Sequence, residues 1–449
     1  MADSAAWDQS VRTSLDSRFL RFRDEGIWHS APLLTGQTCF EPLPDVRNIL
    51  VTGGEGFIGS WLVRHLTVKY PNAYNVVSFD KLDYCSSLNN ARMLENKANF
   101  DFFHGDVTQP SDVLRCLKKH NIDTVFHLAA HTHVDLSFGN SYNFTKNNVL
   151  GTHVLLESIK EYGKVKRFYH ISTDEVYGEA LAADLAESST LDPSNPYSAS
   201  KAAAEMIVKG YVKSHKLPAV VIRLNNVMGP HQYPEKVIPK FINLLRRQLP
   251  LLLHGDGQHT RRYLYAGDAA EAFDTILHKG EIGQIYNVDS RDEISNIGLA
   301  EKLLDLFGLK DKNVWIQHTH DRKFNDRRYA VDGSKLRQLG WEQRTKFEDA
   351  LAATVEWYGK FENWFGDIEE VLTANPVVKG DHVEPECDIA PAGNLCNDVE
   401  AIVGATNGGT VHTKEDIAVP NGSHSNGAKP CVRAQSGAKK RKADVMIEA

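Results

Sequence analysis

Tyr197 and Lys201 stand four residues apart in Asn195-Pro-Tyr-Ser-Ala-Ser-Lys201. Asn195 suits a helix N-cap and Pro196 its first turn, so the spacing puts phenol and ammonium on one helix face. An ammonium there lowers the phenol's pKa from its ordinary value of about 10. A tyrosinate near neutral pH is the base that alcohol oxidation requires. Because Tyr-x-x-x-Lys often arises by chance, its meaning depends on its surroundings. Upstream, an apolar run ends in Ser172-Thr-Asp-Glu-Val-Tyr-Gly178, with two adjacent carboxylates, Asp174 and Glu175. Further upstream, Gly53-Gly-Glu-Gly-Phe-Ile-Gly59 has a G-x-x-G-x-x-G spacing between a short apolar run and a helical pattern. Glycines there permit the tight turn, the close approach of backbone N–H groups to a pyrophosphate, and helix-on-strand packing.

The elements that must position these groups alternate in period. Asn48-Ile-Leu-Val-Thr, Asn75-Val-Val-Ser-Phe, Phe100-Asp-Phe-Phe, Thr124-Val-Phe-His-Leu, Arg167-Phe-Tyr-His-Ile-Ser and Ala219-Val-Val-Ile-Arg-Leu have the composition of buried strands. Helical stretches separate most of them. This predicts an α/β fold of Rossmann type: a doubly wound parallel sheet that binds ligands beyond the carboxyl ends of its strands. Asp80 closes the second strand roughly twenty residues after the last glycine, where a carboxylate accepts from both ribose hydroxyls and repels a 2′-phosphate. NAD is favoured over NADP. Glu55 inside the turn would repel a pyrophosphate, so its side chain is expected to face solvent.

All 41 Phe, Trp and Tyr lie at or before Phe365. The chain is therefore divided into an N-terminal extension over 1–47, an NAD-binding domain over 48–225 that is discontinuous, a smaller substrate-binding region over 226–366, and a disordered tail over 367–449 rich in Gly, Asn, Ser and charge. A net charge of −7 argues against a nucleic-acid or anionic-membrane surface. No window supplies the roughly 18 apolar residues of a membrane helix, and the opening Met1-Ala-Asp-Ser-Ala-Ala-Trp-Asp lacks the regions of a signal peptide. A cytoplasmic protein with reduced thiols is expected, its six cysteines being too scattered for a disulfide framework.

These residues resemble the extended short-chain dehydrogenase/reductase superfamily and, within it, the nucleotide-sugar 4,6-dehydratases acting on dTDP-glucose or UDP-glucose. The resemblance runs from about Asn48 to Phe365. It is carried by Thr52-Gly-Gly-Glu-Gly-Phe-Ile-Gly-Ser, Asp80-Lys-Leu-Asp-Tyr-Cys, His127-Leu-Ala-Ala-His-Thr-His-Val-Asp, Ser172-Thr-Asp-Glu-Val-Tyr-Gly, Tyr197-Ser-Ala-Ser-Lys, Asn225-Asn-Val-Met-Gly-Pro-His-Gln-Tyr-Pro-Glu-Lys-Val-Ile-Pro-Lys-Phe and Asp326-Arg-Arg-Tyr-Ala. It implies that Tyr197 and Lys201 serve oxidation at C4 with Thr173 on the C4 oxygen, that Glu175 removes the C5 proton, and that Asp174 protonates the departing C6 hydroxyl. It further implies that Gly53, Gly56, Phe57, Ile58, Gly59, Asp80, Asp106, Val107, Leu128, Ala129, Ala130, Thr132 and Asn226 join Tyr197 and Lys201 around NAD. On the substrate side it places Thr173, Asn225, Lys236, Val237, Ile238, Pro239, Lys240, Phe241, Arg261, Asn287, Asp321 and Arg322. A homodimer is implied by the family. Met228 and His131 depart from its usual Tyr and Gln or Glu.

Two competing readings are a sugar-nucleotide 4-epimerase or UDP-glucuronate decarboxylase, which lack the Asp-Glu pair, and a dinucleotide sensor, which has no need of five intact catalytic residues. No metal site is expected. His127, His131 and His133 fit pocket lining better than zinc ligation, and Cys387, Cys396, His382 and His412 are irregularly spaced. Lys439-Lys-Arg-Lys442 is read as a solvated charge run rather than a nuclear import signal.

Overall fold

A run such as Ile49-Leu-Val51 has no side chain to offer water, so its strand must be covered on both faces. The computed structural model describes residues 26–321 and 324–372. Its strands are β1 (Asn48–Thr52), β2 (Asn75–Asp80), β3 (Phe100–His104), β4 (Thr124–His127), β5 (Arg167–Thr173), β6 (Ala219–Leu224), β7 (Asn226–Met228), β8 (Leu251–His254), β9 (Thr260–Tyr265), β10 (Ile285–Val288), β11 (Glu293–Ser295) and β12 (Ile316–Thr319). The longer helices are α1 (Phe57–Lys69), α2 (Pro110–Lys119), α3 (Gly151–Tyr162), α4 (Pro196–His215), α5 (Val237–Arg246), α6 (Ala266–Lys279), α7 (Asn296–Phe307) and α8 (Phe347–Lys360).

Seven strands form one sheet in the order β10-β6-β5-β4-β1-β2-β3, every pairing parallel. Ile49 and Val51 join the core under α1 and α6 with Trp61, Leu62, Ala269 and Phe273. Leu50, between them, faces the opposite core with Val113, Leu117, Leu155 and Val208 of α2, α3 and α4. Alternate residues of one strand thus feed two cores, which explains the unbroken apolar run. The strand order reverses on either side of β1, which opens a crevice at the carboxyl ends of β1 and β4.

Beyond residue 226 the chain builds a second assembly: the three-stranded sheet β11-β9-β7, the pair β12-β8, and a core joining Phe241, Tyr263, Leu303, Trp357 and Trp364. The region expected over 226–366 is interrupted, because α6 packs on α1 and β10 extends the large sheet. Residues 26–47 pack on the body: Trp28 is buried, Thr38 Oγ1 donates to Asp274 Oδ2 at 2.7 Å, and Phe40 N donates to Tyr70 OH at 2.9 Å. At the other end, packing continues past the aromatic limit at Phe365, with Ile368 and Leu372 buried in the second core. The expected boundary at 367 falls inside packed structure, because Ile368 and Leu372, the last buried among the described residues, are aliphatic. The rest of the expected tail, from 373, and residues 1–25 lie outside the described residues. Among the described residues no helix is long and apolar enough to cross a membrane.

Candidate active site

The β1–α1 turn is shaped by contacts only glycine tolerates. Gly53 has φ +70°, and a Cβ there would meet the Ala129 backbone at 2.9 Å; a Cβ on Gly59 would fall 2.1 Å from Gly53 O. Asp80, buried at the end of β2, accepts from Glu55 N (3.0 Å), Leu82 N (2.8 Å) and Ser86 Oγ (3.2 Å). This bare turn, opening directly onto α1 beside a fixed carboxylate, fits a dinucleotide. Glu55 does not face solvent as expected. It is 1 % exposed, its Oε1 takes the Ser78 hydroxyl at 2.8 Å, and burial raises its pKa to about 8. Its backbone N–H serves Asp80 while its side chain turns away beneath the turn, which removes the repulsion anticipated toward a pyrophosphate.

One cavity runs from this turn to the ends of β5 and β6. Gly53, Gly56, Phe57, Ile58, Gly59, Asp80, Val107, Leu128, Ala129, Ala130, Thr132, Thr173, Tyr197, Lys201, Asn225 and Asn226 all line it. Asp106 does not. Its Oδ1 instead accepts from Thr108 N at 2.8 Å. A second cavity takes Lys236, Val237, Ile238, Lys240, Phe241 and Arg261 from the expected substrate residues, with Asn226 from the expected cofactor residues. Glu175 lines both, at their junction.

Helix α4 begins as its sequence predicts, with Asn195 and Ser198 forming a reciprocal capping box and Pro196 in the first turn. That start brings Tyr197 and Lys201 to the cavity. Thr173 Oγ1 accepts from Glu175 N at 3.3 Å and so caps the short turn Asp174–Tyr177 that follows β5. Both carboxylates are buried. Asp174 lies behind the cavity lining, its Oδ1 bonded to Thr173 Oγ1 (3.1 Å) and its Oδ2 to Asn225 Nδ2 (2.5 Å). Burial raises its pKa to about 6 against the pull of those two donors. Burial and then the charge of Asp174 raise Glu175 to about 7, and Glu175 Oε2 has no hydrogen-bond partner.

The expected lowering of the tyrosine pKa is not what the fold produces. Burial and the facing carboxylates Glu175 and Asp174 push Tyr197 upward, with the Thr173 hydroxyl opposing. Lys201 is itself buried, donates to Ile171 O at 2.7 Å, and falls to about 8 through desolvation. Four-residue spacing set the shared face but could not report how much of the ammonium's influence burial and the backbone carbonyl absorb.

Some expected substrate residues lie elsewhere. Asn287 is fully buried and lines neither cavity. Its Oδ1 accepts from Tyr177 OH (2.9 Å) and its Nδ2 donates to Leu185 O (3.0 Å) and Asp332 O (3.2 Å), so its side chain is committed inside the fold. Pro239 points into α5's packing rather than the cavity, and Asp321 is exposed and bonded to Asn325 Nδ2 at 2.9 Å. Arg322 lies outside the described residues. Arg261 stacks over the Tyr329 ring at 4.5 Å while donating to Asp326 O at 2.9 Å. Tyr329, Asp326, Gln232 and Glu235 were missed as lining residues, although all four fall in stretches that carry the resemblance. His131 lines the first cavity and His133 the second, whereas His127 is held inside between Thr52 Oγ1 (2.8 Å) and Thr152 Oγ1 (2.9 Å).

A parallel, doubly wound sheet with a glycine turn at its switch point and an acid pair beside Tyr-x-x-x-Lys defines a Rossmann-type protein of the extended short-chain dehydrogenase/reductase superfamily. Residues 50–354 match the GDP-mannose 4,6 dehydratase family, and the chain belongs to it. It is 50 % identical over 333 residues to the trifunctional UDP-glucose 4,6-dehydratase/UDP-4-keto-6-deoxy-D-glucose 3,5-epimerase/UDP-4-keto-L-rhamnose-reductase of Arabidopsis thaliana, covering 74 % of this chain and 50 % of that protein. The chain thus spans about half the length of that relative. It is 44 % identical over 338 residues to the dTDP-D-glucose 4,6-dehydratase of Homo sapiens, covering 74 % of this chain and 95 % of that one. Among solved structures, the dTDP-glucose 4,6-dehydratase of Streptomyces venezuelae with NAD and TYD bound superposes with a TM-score of 0.68 at 36 % identity, over 72 % of this chain and 99 % of that one.

Proposed function

We propose that the protein dehydrates an NDP-glucose to its 4-keto-6-deoxy derivative with NAD as a recycled cofactor. The observation that carries this reading is the pair Asp174 and Glu175, raised to about 6 and about 7, with Glu175 at the junction of the two cavities. Elimination of water needs an acid and a base at once, and buried adjacent carboxylates can hold one proton between them near neutrality. Epimerisation or decarboxylation expels no 6-hydroxyl and has no use for Asp174.

Gly53, Gly56, Gly59 and Asp80 would hold the dinucleotide, with Leu128 to Ala130, Thr132 and Asn226 along its length. When bound, NAD supplies the acceptor for the hydrogen leaving C4 and the donor of the hydrogen arriving at C6. Tyr197 Oη takes the C4 hydroxyl proton as the tyrosinate, a form that burial and the facing carboxylates oppose and that the Lys201 ammonium on the same helix face, with the positive charge a bound NAD would bring, must favour. Thr173 orients the C4 oxygen. The 4-ketone makes the C5 hydrogen acidic, ionised Glu175 removes it, and Asp174, bonded to the cavity-lining Thr173 Oγ1, gives its proton to the leaving C6 hydroxyl, although the fold alone holds a proton more tightly on Glu175 than on Asp174. Lys236 and Arg261 face the nucleotide diphosphate, where a guanidinium fork matches phosphate oxygens.

UDP-glucose is the favoured substrate, in rhamnose-type deoxysugar synthesis. The stretches Asp80-Lys-Leu-Asp-Tyr-Cys and Asp321-Arg-Lys-Phe-Asn-Asp-Arg-Arg-Tyr are of the eukaryotic, uridine-using kind, and the identity to the UDP-glucose relative exceeds that to the human dTDP-glucose one. One methyl separates uracil from thymine and is worth about 1–3 kcal/mol, so cross-reaction is expected. A cytoplasmic homodimer, with NAD held by the 48–225 portion and substrate by the 226–366 portion, completes the reading. Incubation with each nucleotide sugar should give a product lighter by one water, with higher kcat/KM for UDP-glucose. An unchanged sugar, or an isomer of the same mass, would overturn it.

A further inference from the structure

Three separate segments contribute to the lining of the first cavity, and a circuit of side-chain bonds joins them in a closed ring. Asp83, after β2, bonds His131 Nε2 at 3.0 Å. The next residue, Tyr84, donates its hydroxyl to Glu235 Oε2 at 2.8 Å. Lys236, next to Glu235, donates to Thr132 O at 2.7 Å, and Thr132 adjoins His131. The circuit therefore returns to its start through three non-covalent links and three peptide-bonded pairs. Asp83, His131, Thr132, Glu235 and Lys236 all line the cavity, while Tyr84 sits outside it, 44 % exposed.

Two further features show the ring held in one definite shape. Lys81 Nζ braces Asp83 at 3.0 Å and reaches Asn147 Oδ1 at 3.2 Å, which ties a fourth element to the same carboxylate. Both arms contain a non-glycine residue with left-handed backbone, Leu82 at φ +59° and His231 at φ +74°. Such conformations persist only where surrounding contacts over-determine them. His231 is fixed by a buried aromatic slot, stacked on Trp364 with ring centroids 4.9 Å apart.

We propose that this ring clasps the bound dinucleotide, with the Tyr84 hydroxyl and the His131 imidazole as cofactor-retaining groups. The proposal rests on the dinucleotide part of the reading above. Retention has a chemical purpose there: a reaction that returns its cofactor to the starting state needs no exchange, and a cofactor lost midway strands a 4-keto intermediate. Tyr84 and His131 act on cofactor residence rather than on the proton transfers, so they are positioning residues.

The test measures NADH release from the purified full-length protein by fluorescence, with excess NAD as the chase, beside turnover at saturating added NAD. Tyr84→Phe and His131→Ala should each release NADH on the order of tenfold faster, the worth of a hydrogen bond to a carboxylate. His131→Gln, which keeps a donor for Asp83, should restore slow release, and kcat at saturating NAD should stay within about twofold in Tyr84→Phe, whose side chain lies outside the cavity lining. Release unchanged by loss of either group, or equally fast in the Gln and Ala variants, would overturn the clasp. A wild-type protein that does not bind NADH would overturn it too. Faster release in the variants of a protein that fails to dehydrate any NDP-glucose would support the clasp while sinking the dehydratase reading alone.

Discussion

Asn225 Nδ2 lies 2.5 Å from Asp174 Oδ2, and Asn225 Oδ1 is held in turn by Ser290 N at 2.8 Å. The residue after β6 thereby fixes the carboxyl proposed as the acid, and its donor favours the ionised form.

Removing that donor in Asn225→Ala should move Asp174 further above its present value of about 6. A higher acid pKa keeps Asp174 protonated to higher pH, so the alkaline limb of the pH–rate profile should shift upward. The rate maximum should fall by roughly tenfold, in line with loss of one bond to a carboxylate. A profile that keeps its alkaline limb in place would separate Asn225 from Asp174 function.

Asp174→Asn and Glu175→Gln should each lower kcat by roughly 10²–10⁴-fold with little change in substrate binding, as for loss of a positioned acid or base. Tyr197→Phe should block the first oxidation, leaving no cofactor reduction in single turnover. Near-normal dehydration in both carboxamide variants would mean that the acid and base lie elsewhere.

The same pair carries a stability signature. Glu175 is raised from 4.5 to about 7 by the fold, so the folded chain binds its proton more tightly than the unfolded one. Stability from that protonation is full below about 4.5 and is lost as pH rises through about 7. Glu175→Gln avoids the loss, so it should melt several degrees above wild type at pH 8, with the gap closing toward pH 4.5. Equal melting temperatures at pH 8 would show that the carboxylate is not destabilised by burial.

What could be read along the chain was local: the β1–α1 glycine turn, the Asn195 cap, the shared face of Tyr197 and Lys201, and the carboxylate pair at the end of β5. What could not be read depends on partners far away in sequence. Asn287 reads as an available amide until Tyr177, Leu185 and Asp332 occupy it. Glu55 reads as a solvent-facing acid until Ser78 and the floor of β2 receive it. Asp174's place behind Thr173 is set by Asn225, 51 residues on. The Lys201 effect failed for a related reason, since desolvation is a property of the packed interior and leaves no mark in spacing.

The contribution of residues 367–372 can be tested by two truncations. A chain ending at residue 376 should keep its melting temperature and activity. One ending at 366 loses Ile368 and Leu372 from the second core, and the Arg247–Glu369 pair at 3.0 Å. It should be destabilised by about 2–5 kcal/mol, the range for deleting buried aliphatic side chains. Identical melting curves for the two would show that residues 367–372 do not contribute.

The proposed dehydration moves one hydrogen from C4 to C6 within a single active site. UDP-glucose deuterated at C4, turned over by wild-type protein, should yield a 4-keto-6-deoxy product carrying that deuterium at C6, with a solvent-derived hydrogen at C5. Deuterium found at C4 or in solvent, or NADH accumulating in step with product, would contradict it.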